Sequence, residues 1–248
     1  MSLFDIDGPV MNVLRILANI FLCNVLFCLL SLPLFTIGAS LTALFACMQA
    51  ILADDEEDIM AKQYWDAFRR NFKQATAIWM VCLLICIFLG VYYLVVSGMT
   101  GALGKIYRIS FFVMCIVFLF GFQYLFPLQA RYENKVKNTM KNAWLLSIAA
   151  FPWTILSIAL VIAAIYISFF MNPNGLNLAV FLWGTMGFGI VAYLKSFFFR
   201  KAFQKIDPEK LEVYQHTIPE EALFTDEEHM DMQNDRQSEE KRKDKWRK

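Results

Sequence analysis

The chain has 248 residues, 58% hydrophobic and 18% charged, with 23 basic and 22 acidic side chains and a formal net charge of +1. That balance excludes a nucleic-acid binder, which needs a clustered basic face. The placement of the charges also excludes a soluble globular protein. Residues 16–53, 74–104, 109–130 and 142–194 contain no Asp, Glu, Lys or Arg, and each run passes the roughly 18 apolar residues that mark a membrane-spanning helix.

The first run of 38 residues would reach about 57 Å as one helix, against about 30 Å of hydrocarbon. It must fold back, and Pro33 and Gly38 supply the break. Helices are predicted over residues 14–32 and 37–53. The second is near the lower limit of about 17 residues, so it is either a short crossing or a re-entrant segment. Asp5 and Asp7 with a single Arg15 are the wrong n-region for a cleaved signal peptide, and the first helix is expected to be retained.

An acidic run (Asp54, Asp55, Glu56, Glu57, Asp58) then precedes an amphipathic stretch over residues 59–72. Met60, Tyr64, Trp65, Phe68 and Phe72 recur on one side, and Lys62, Asp66, Arg69, Arg70 and Lys73 take much of the rest. Such a helix suits the headgroup boundary. A crossing at 75–96, a Gly-rich exit at 97–104 and a crossing at 109–130 follow. Tyr132, Val136, Met140 and Ala143, with Lys135, Lys137 and Lys141 between them, sketch a second, shorter amphipathic helix.

The two amphipathic stretches end alike. Asn71-Phe72-Lys73-Gln74-Ala75 leads into one crossing and Thr139-Met140-Lys141-Asn142-Ala143 into another, a loose repeat. The last run breaks at Asn172-Pro173-Asn174-Gly175, a cluster of turn residues, leaving crossings at 143–170 and 176–199. Gly184-Thr185-Met186-Gly187-Phe188-Gly189 within the last one permits close packing or a kink.

The fold class expected is all-α: a polytopic transmembrane bundle of about six spans, or five plus a re-entrant segment. Two cytoplasmic interfacial amphipathic helices complete it. Residues 1–205 form the membrane domain, and residues 206–248 are a charged tail whose composition predicts disorder. The loops bearing Arg69, Arg70 and Lys73, and Lys135, Lys137 and Lys141, are the basic ones, so both termini are expected in the cytoplasm.

Ionisable groups at membrane depth are functional candidates by default. None is expected here: Arg15, Arg108 and Lys195 are assigned to span ends, where long side chains reach the interface. His216 and His229, the only histidines, lie in the tail, so no catalytic set, metal site or cofactor site is expected. The six cysteines fall within predicted spans and read as small apolar residues. Polar uncharged residues concentrate in the first two helices, where Asn19, Asn24, Thr36 and Gln49 are the candidate lining of a cavity. Arg69, Arg70, Lys73, Lys137 and Lys141 are the candidate contacts for lipid or a cytoplasmic partner.

Several short motifs keep a particular order: Asp7-Gly8-Pro9, Ser31-Leu32-Pro33, Thr36-Ile37-Gly38-Ala39, Asn71-Phe72-Lys73-Gln74-Ala75-Thr76, Phe126-Pro127-Leu128, Ala130-Arg131-Tyr132 and Lys141-Asn142-Ala143. In these the chain resembles the YesL family of bacterial integral membrane proteins, over about residues 1–205. The resemblance implies a multi-pass protein of the bacterial plasma membrane carrying a domain of unknown function. It also implies an association with carbohydrate uptake and breakdown, and it brings no catalytic or ligand residues. Three functions follow as expectations. The first is a non-enzymatic accessory or assembly partner of a carbohydrate uptake system. The second is a facilitator for a small neutral solute, built on the polar first hairpin. The third is a membrane sensor acting through its tail.

Overall fold

A computed structural model describes residues 9–53, 59–132, 135–170 and 175–204. Their helices are α1 (Pro9–Leu30), α2 (Ile37–Ala53), α3 (Met60–Ser97), α4 (Gly101–Arg131), α5 (Val136–Ala149), α6 (Phe151–Phe170), α7 (Gly175–Leu182) and α8 (Phe188–Gln204). A 3-10 turn at Leu34–Thr36 joins α1 to α2, and a π-helical turn at Trp183–Gly187 joins α7 to α8. The acidic run 54–58, the turn residues 172–174 and the tail lie outside the described residues. Packing separates residues 1–205 from residues 206–248, and everything described belongs to the first unit.

Six helical stretches are long and apolar enough to cross a bilayer: Val10–Leu30, Leu34–Ala53, Met60–Ser97, Gly101–Arg131, Phe151–Phe169 and Ala179–Phe203. The chain is an all-α, multi-pass membrane protein. The short second segment is a continuous helix of 17 residues rather than a half-helix.

That segment forms the centre of the bundle. α2 is packed by α1, α3, α4 and α8, and Ala39, Ala43, Leu44, Cys47 and Met48 on it are fully buried. Small residues allow this closeness, because helices in lipid gain by van der Waals approach rather than by excluding water. A Cβ placed on Gly38 would stand 2.5 Å from the Ala75 carbonyl oxygen and 2.6 Å from Trp79 Cβ. The other crossings turn Leu84, Ile87, Phe88, Phe112, Ile162 and similar side chains outward, as lipid-facing surfaces do.

Two boundaries differ from those expected. The amphipathic stretch at 59–72 is not a separate surface helix. It forms the first turns of α3, which runs unbroken for 38 residues, about 57 Å and well beyond the hydrocarbon thickness. No Gly or Pro occurs between Met60 and Leu89, so nothing stops the helix at the membrane edge. Part of its apolar side is turned into protein: Met60, Tyr64 and Phe68 are buried, while Phe72 is half-buried and Trp65 exposed, and the Tyr64 hydroxyl donates to the Ser40 carbonyl at 2.8 Å.

The second difference lies in the crossing expected over 143–170, which is divided at Ala150. Pro152 has no N–H to continue α5 and is tolerated in the first turn of α6. The Thr154 hydroxyl then takes up the exposed end of α5, bonding the Ser147 and Ala150 carbonyls at 2.8 and 3.1 Å. α5 itself is the second amphipathic helix.

Candidate functional site

The two ends of the loose repeat meet on one side chain. Gln129, fully buried near the end of α4, donates from Nε2 to Gln74 Oε1 at 2.7 Å and to Asn71 Oδ1 at 3.3 Å, both on α3. Its Oε1 accepts the Thr139 hydroxyl of α5 at 2.8 Å. Asn71 completes its own bonding through Nδ2 to the Ala67 carbonyl at 3.1 Å. An amide has two donors and two acceptor lone pairs, which suits Gln129 to bridge three helices at once. Ala75 and Ala143, the equivalent repeat positions, are both fully buried beside this lock.

Around the lock the basic residues face outward. Arg69, Arg70 and Lys73 on α3, and Lys137 and Lys141 on α5, are all exposed. The structure therefore brings these five predicted contact residues to one end of the bundle, on two helices fixed to each other through a buried amide. Sequence reasoning missed Gln129, Gln74 and Thr139 as site-building residues. The signal was the repeated junction itself, since Asn71 and Thr139 occupy the same place in it.

The predicted cavity residues do not converge. Asn24, fully buried on α1, donates from Nδ2 to the Gly184 and Trp183 carbonyls at 2.8 and 3.2 Å, and its Oδ1 accepts the Gly189 N–H at 2.9 Å. It therefore braces the π-helical turn, where the changed register alters carbonyl pairing. The Thr36 hydroxyl donates to the Leu30 and Pro33 carbonyls and closes the α1–α2 turn. Gln49 Nε2 donates to the Pro127 carbonyl at 3.1 Å, tying α2 to α4. Asn19 is half-buried on α1. Three of the four hold backbone groups at three different places in the bundle.

Lys195 stands eight residues before the end of the apolar helical stretch Ala179–Phe203, against four before the end of the crossing expected over 176–199. Its Nζ stands 5.6 Å from the Phe199 ring centroid and 6.0 Å from that of Phe45. Phe45 is the middle residue of α2. The apolar face continues through Phe198, Phe199, Ala202 and Phe203, with exposed Arg200 and Lys201 between them. Arg15 and Arg108 are exposed on α1 and α4, donating to Asn12 Oδ1 and to the Met99 carbonyl.

Among the described residues no group of three or more His, Cys, Asp or Glu side chains is arranged to hold a metal ion. None of the six cysteines is in a disulfide; Cys23, Cys47 and Cys82 are buried and Cys86 is exposed.

Residues 20–93 match a family described as "Protein of unknown function, DUF624". The matched stretch runs from within α1 through α2 and most of α3, under a third of the chain. No curated protein and no solved structure matches the chain.

Proposed function

We propose that this chain is a non-enzymatic membrane protein of the YesL type, lying in the bacterial plasma membrane with both termini in the cytoplasm. It serves as an assembly partner for another membrane complex. The observation that carries the reading is the Gln129 lock. It joins the protruding start of α3 to α5 and presents Arg69, Arg70, Lys73, Lys137 and Lys141 as one preorganised basic surface. A surface already ordered loses less conformational freedom on docking than a flexible loop does. The excess of basic residues at that end favours the cytoplasmic side.

The match over residues 20–93 to a domain of unknown function is compatible with the YesL resemblance. A carbohydrate importer as the partner rests on that resemblance alone. The facilitator reading has less support, because Asn24, Thr36 and Gln49 spend their polar atoms on backbone groups rather than on a common path.

The test is affinity purification of the tagged chain at its native level from mildly solubilised membranes. A second strain would carry Arg69→Glu, Arg70→Glu, Lys137→Glu and Lys141→Glu together. We expect the subunits of a transport complex to co-purify with the unaltered chain, and to be lost from the variant while it still inserts. Recovery of this chain alone from both strains would remove the reading's support.

A further inference from the structure

The tip of the hairpin between α1 and α2 is tied to the middle of α3, far from its end. Trp79 Nε1 donates to the Leu34 carbonyl at 2.8 Å. A Cβ on Gly38, at the start of α2, would meet both Ala75 and Trp79. From there α2 turns back beside the earlier part of α3, where the Tyr64 hydroxyl reaches the Ser40 carbonyl.

The helices α3 and α4 carry their own depth marks. Toward one end stand the exposed Arg69, Arg70 and Lys73. Toward the other, Tyr92 and Tyr93 pack on Phe111 at 6.2 and 5.4 Å between ring centroids, and α4 exposes Lys105 and Arg108. Basic and aromatic side chains gather at the borders of the hydrocarbon. Lys73 and Tyr92 are 19 residues apart, about 28 Å of helix against about 30 Å of hydrocarbon. Trp79 comes six residues after Lys73 and 13 before Tyr92. The hairpin tip that it holds is therefore about 9 Å from one border and about 20 Å from the other.

The tip has the chemistry that this depth demands. Leu32, Leu34 and Phe35 are 76%, 74% and 53% exposed, whereas a turn at an aqueous face favours polar side chains. Backbone groups there find partners within the protein, as hydrocarbon requires. The Thr36 hydroxyl reaches the Leu30 and Pro33 carbonyls, and Trp79 takes the Leu34 carbonyl. The Ser31 and Leu32 N–H groups bond the Phe27 and Leu29 carbonyls, and Pro33 has no N–H to leave unpaired.

We infer that α1 and α2 form a re-entrant hairpin whose tip is a lipid-contact surface, immersed among acyl chains. The hairpin enters and leaves on the Lys73 side of the membrane, and acyl chains cover its tip on the Tyr92 side. The inference rests on the packing of the hairpin against α3 and is independent of the docking surface.

The experiment uses the purified full chain in phosphatidylcholine vesicles, with its six native cysteines replaced by alanine. A nitroxide is attached through Leu32→Cys or Leu34→Cys, both at exposed positions. Its collisions with oxygen, which concentrates in hydrocarbon, are compared with its collisions with a water-soluble nickel chelate. Phe88→Cys gives the hydrocarbon reference and Met99→Cys, past Tyr92, the aqueous one. The oxygen-to-nickel ratio at positions 32 and 34 is expected to match that at 88 and to exceed that at 99 several-fold. Nickel access equal to that at 99 overturns the inference, because the tip then meets water. Low collision rates with both agents overturn it too, because protein then covers the tip. If the cysteine-free chain does not fold, Leu34→Asp in the otherwise unaltered chain supplies the answer. A charge placed in hydrocarbon is costly, so the yield of inserted protein is expected to fall several-fold while Met99→Asp leaves it unchanged. Equal yields of the two overturn the inference.

Discussion

The Thr139 hydroxyl of α5 donates at 2.8 Å to the same Gln129 side chain whose Nε2 holds Asn71 of α3. Two helices more than 60 residues apart in the chain are thereby tied through a third. In a low-dielectric interior such a bond is strong when made and expensive when one partner is lost.

Replacing Gln129 by Leu leaves Asn71 Oδ1, Gln74 Oε1 and Thr139 Oγ1 without their shared partner. Each stranded buried group costs roughly 1–3 kcal/mol, so the variant is expected to lose about 3 kcal/mol of stability. Thr139→Val removes one bond and costs about 1 kcal/mol. Equilibrium unfolding in mixed micelles, followed by circular dichroism, measures both. A Gln129→Leu protein as stable as the wild type would mean that the junction is wet and loosely joined.

Gly38 packs α2 tightly against α3, and its surroundings include backbone that cannot swing aside. Gly38→Ala is expected to force the helices apart and to cost about 1–3 kcal/mol. Gly90, further along α3, has nothing within 4 Å of an added Cβ. Gly90→Ala should instead gain roughly 0.5–1 kcal/mol from the helical backbone. The opposite signs, read in the same unfolding assay, separate contact from propensity.

Asn24 supplies both donor and acceptor to the turn at Trp183–Gly187. Asn24→Ala strands the Gly189 N–H and two carbonyls, for a loss on the order of 2 kcal/mol. Hydrogen exchange followed by mass spectrometry should show faster exchange in residues 183–189 with little change in α3. Unaltered exchange there would show that the π-helical turn is held by its own packing.

The cysteines report on water inside the bundle, because thiol reagents attack the thiolate, which needs a polar environment. A membrane-impermeant maleimide should leave all six unlabelled in intact membranes. After solubilisation, Cys86 should react ahead of Cys23, Cys47 and Cys82, which are buried in protein. Rapid labelling of Cys23 or Cys47 before solubilisation would reveal an aqueous path and would favour the facilitator reading.

Reading the chain without coordinates goes furthest where one property dominates. Lipid cannot hydrate backbone or charge, so charge-free runs and helix length lead directly to six apolar helices and an all-α bundle. The irregular turn at Trp183–Gly187 also had a local sign, small residues inside an apolar run. Reading fails where two signals overlap. Residues 59–72 looked like a helix lying flat because their amphipathic pattern resembles an interfacial one; the partner for Tyr64 is α2, which no local pattern announces.

Composition and periodicity thus settle what is apolar and what is helical, since these depend on each segment's exchange between water and lipid. Which amide meets which hydroxyl, and whether Lys195 looks outward or toward Phe45, depends on the rotation of each helix about its axis. That rotation is selected by close packing at Gly38, Ala75 and Gly189 and by the few polar bonds that fit there. Such contacts join residues distant in the chain, so only the assembled bundle displays them.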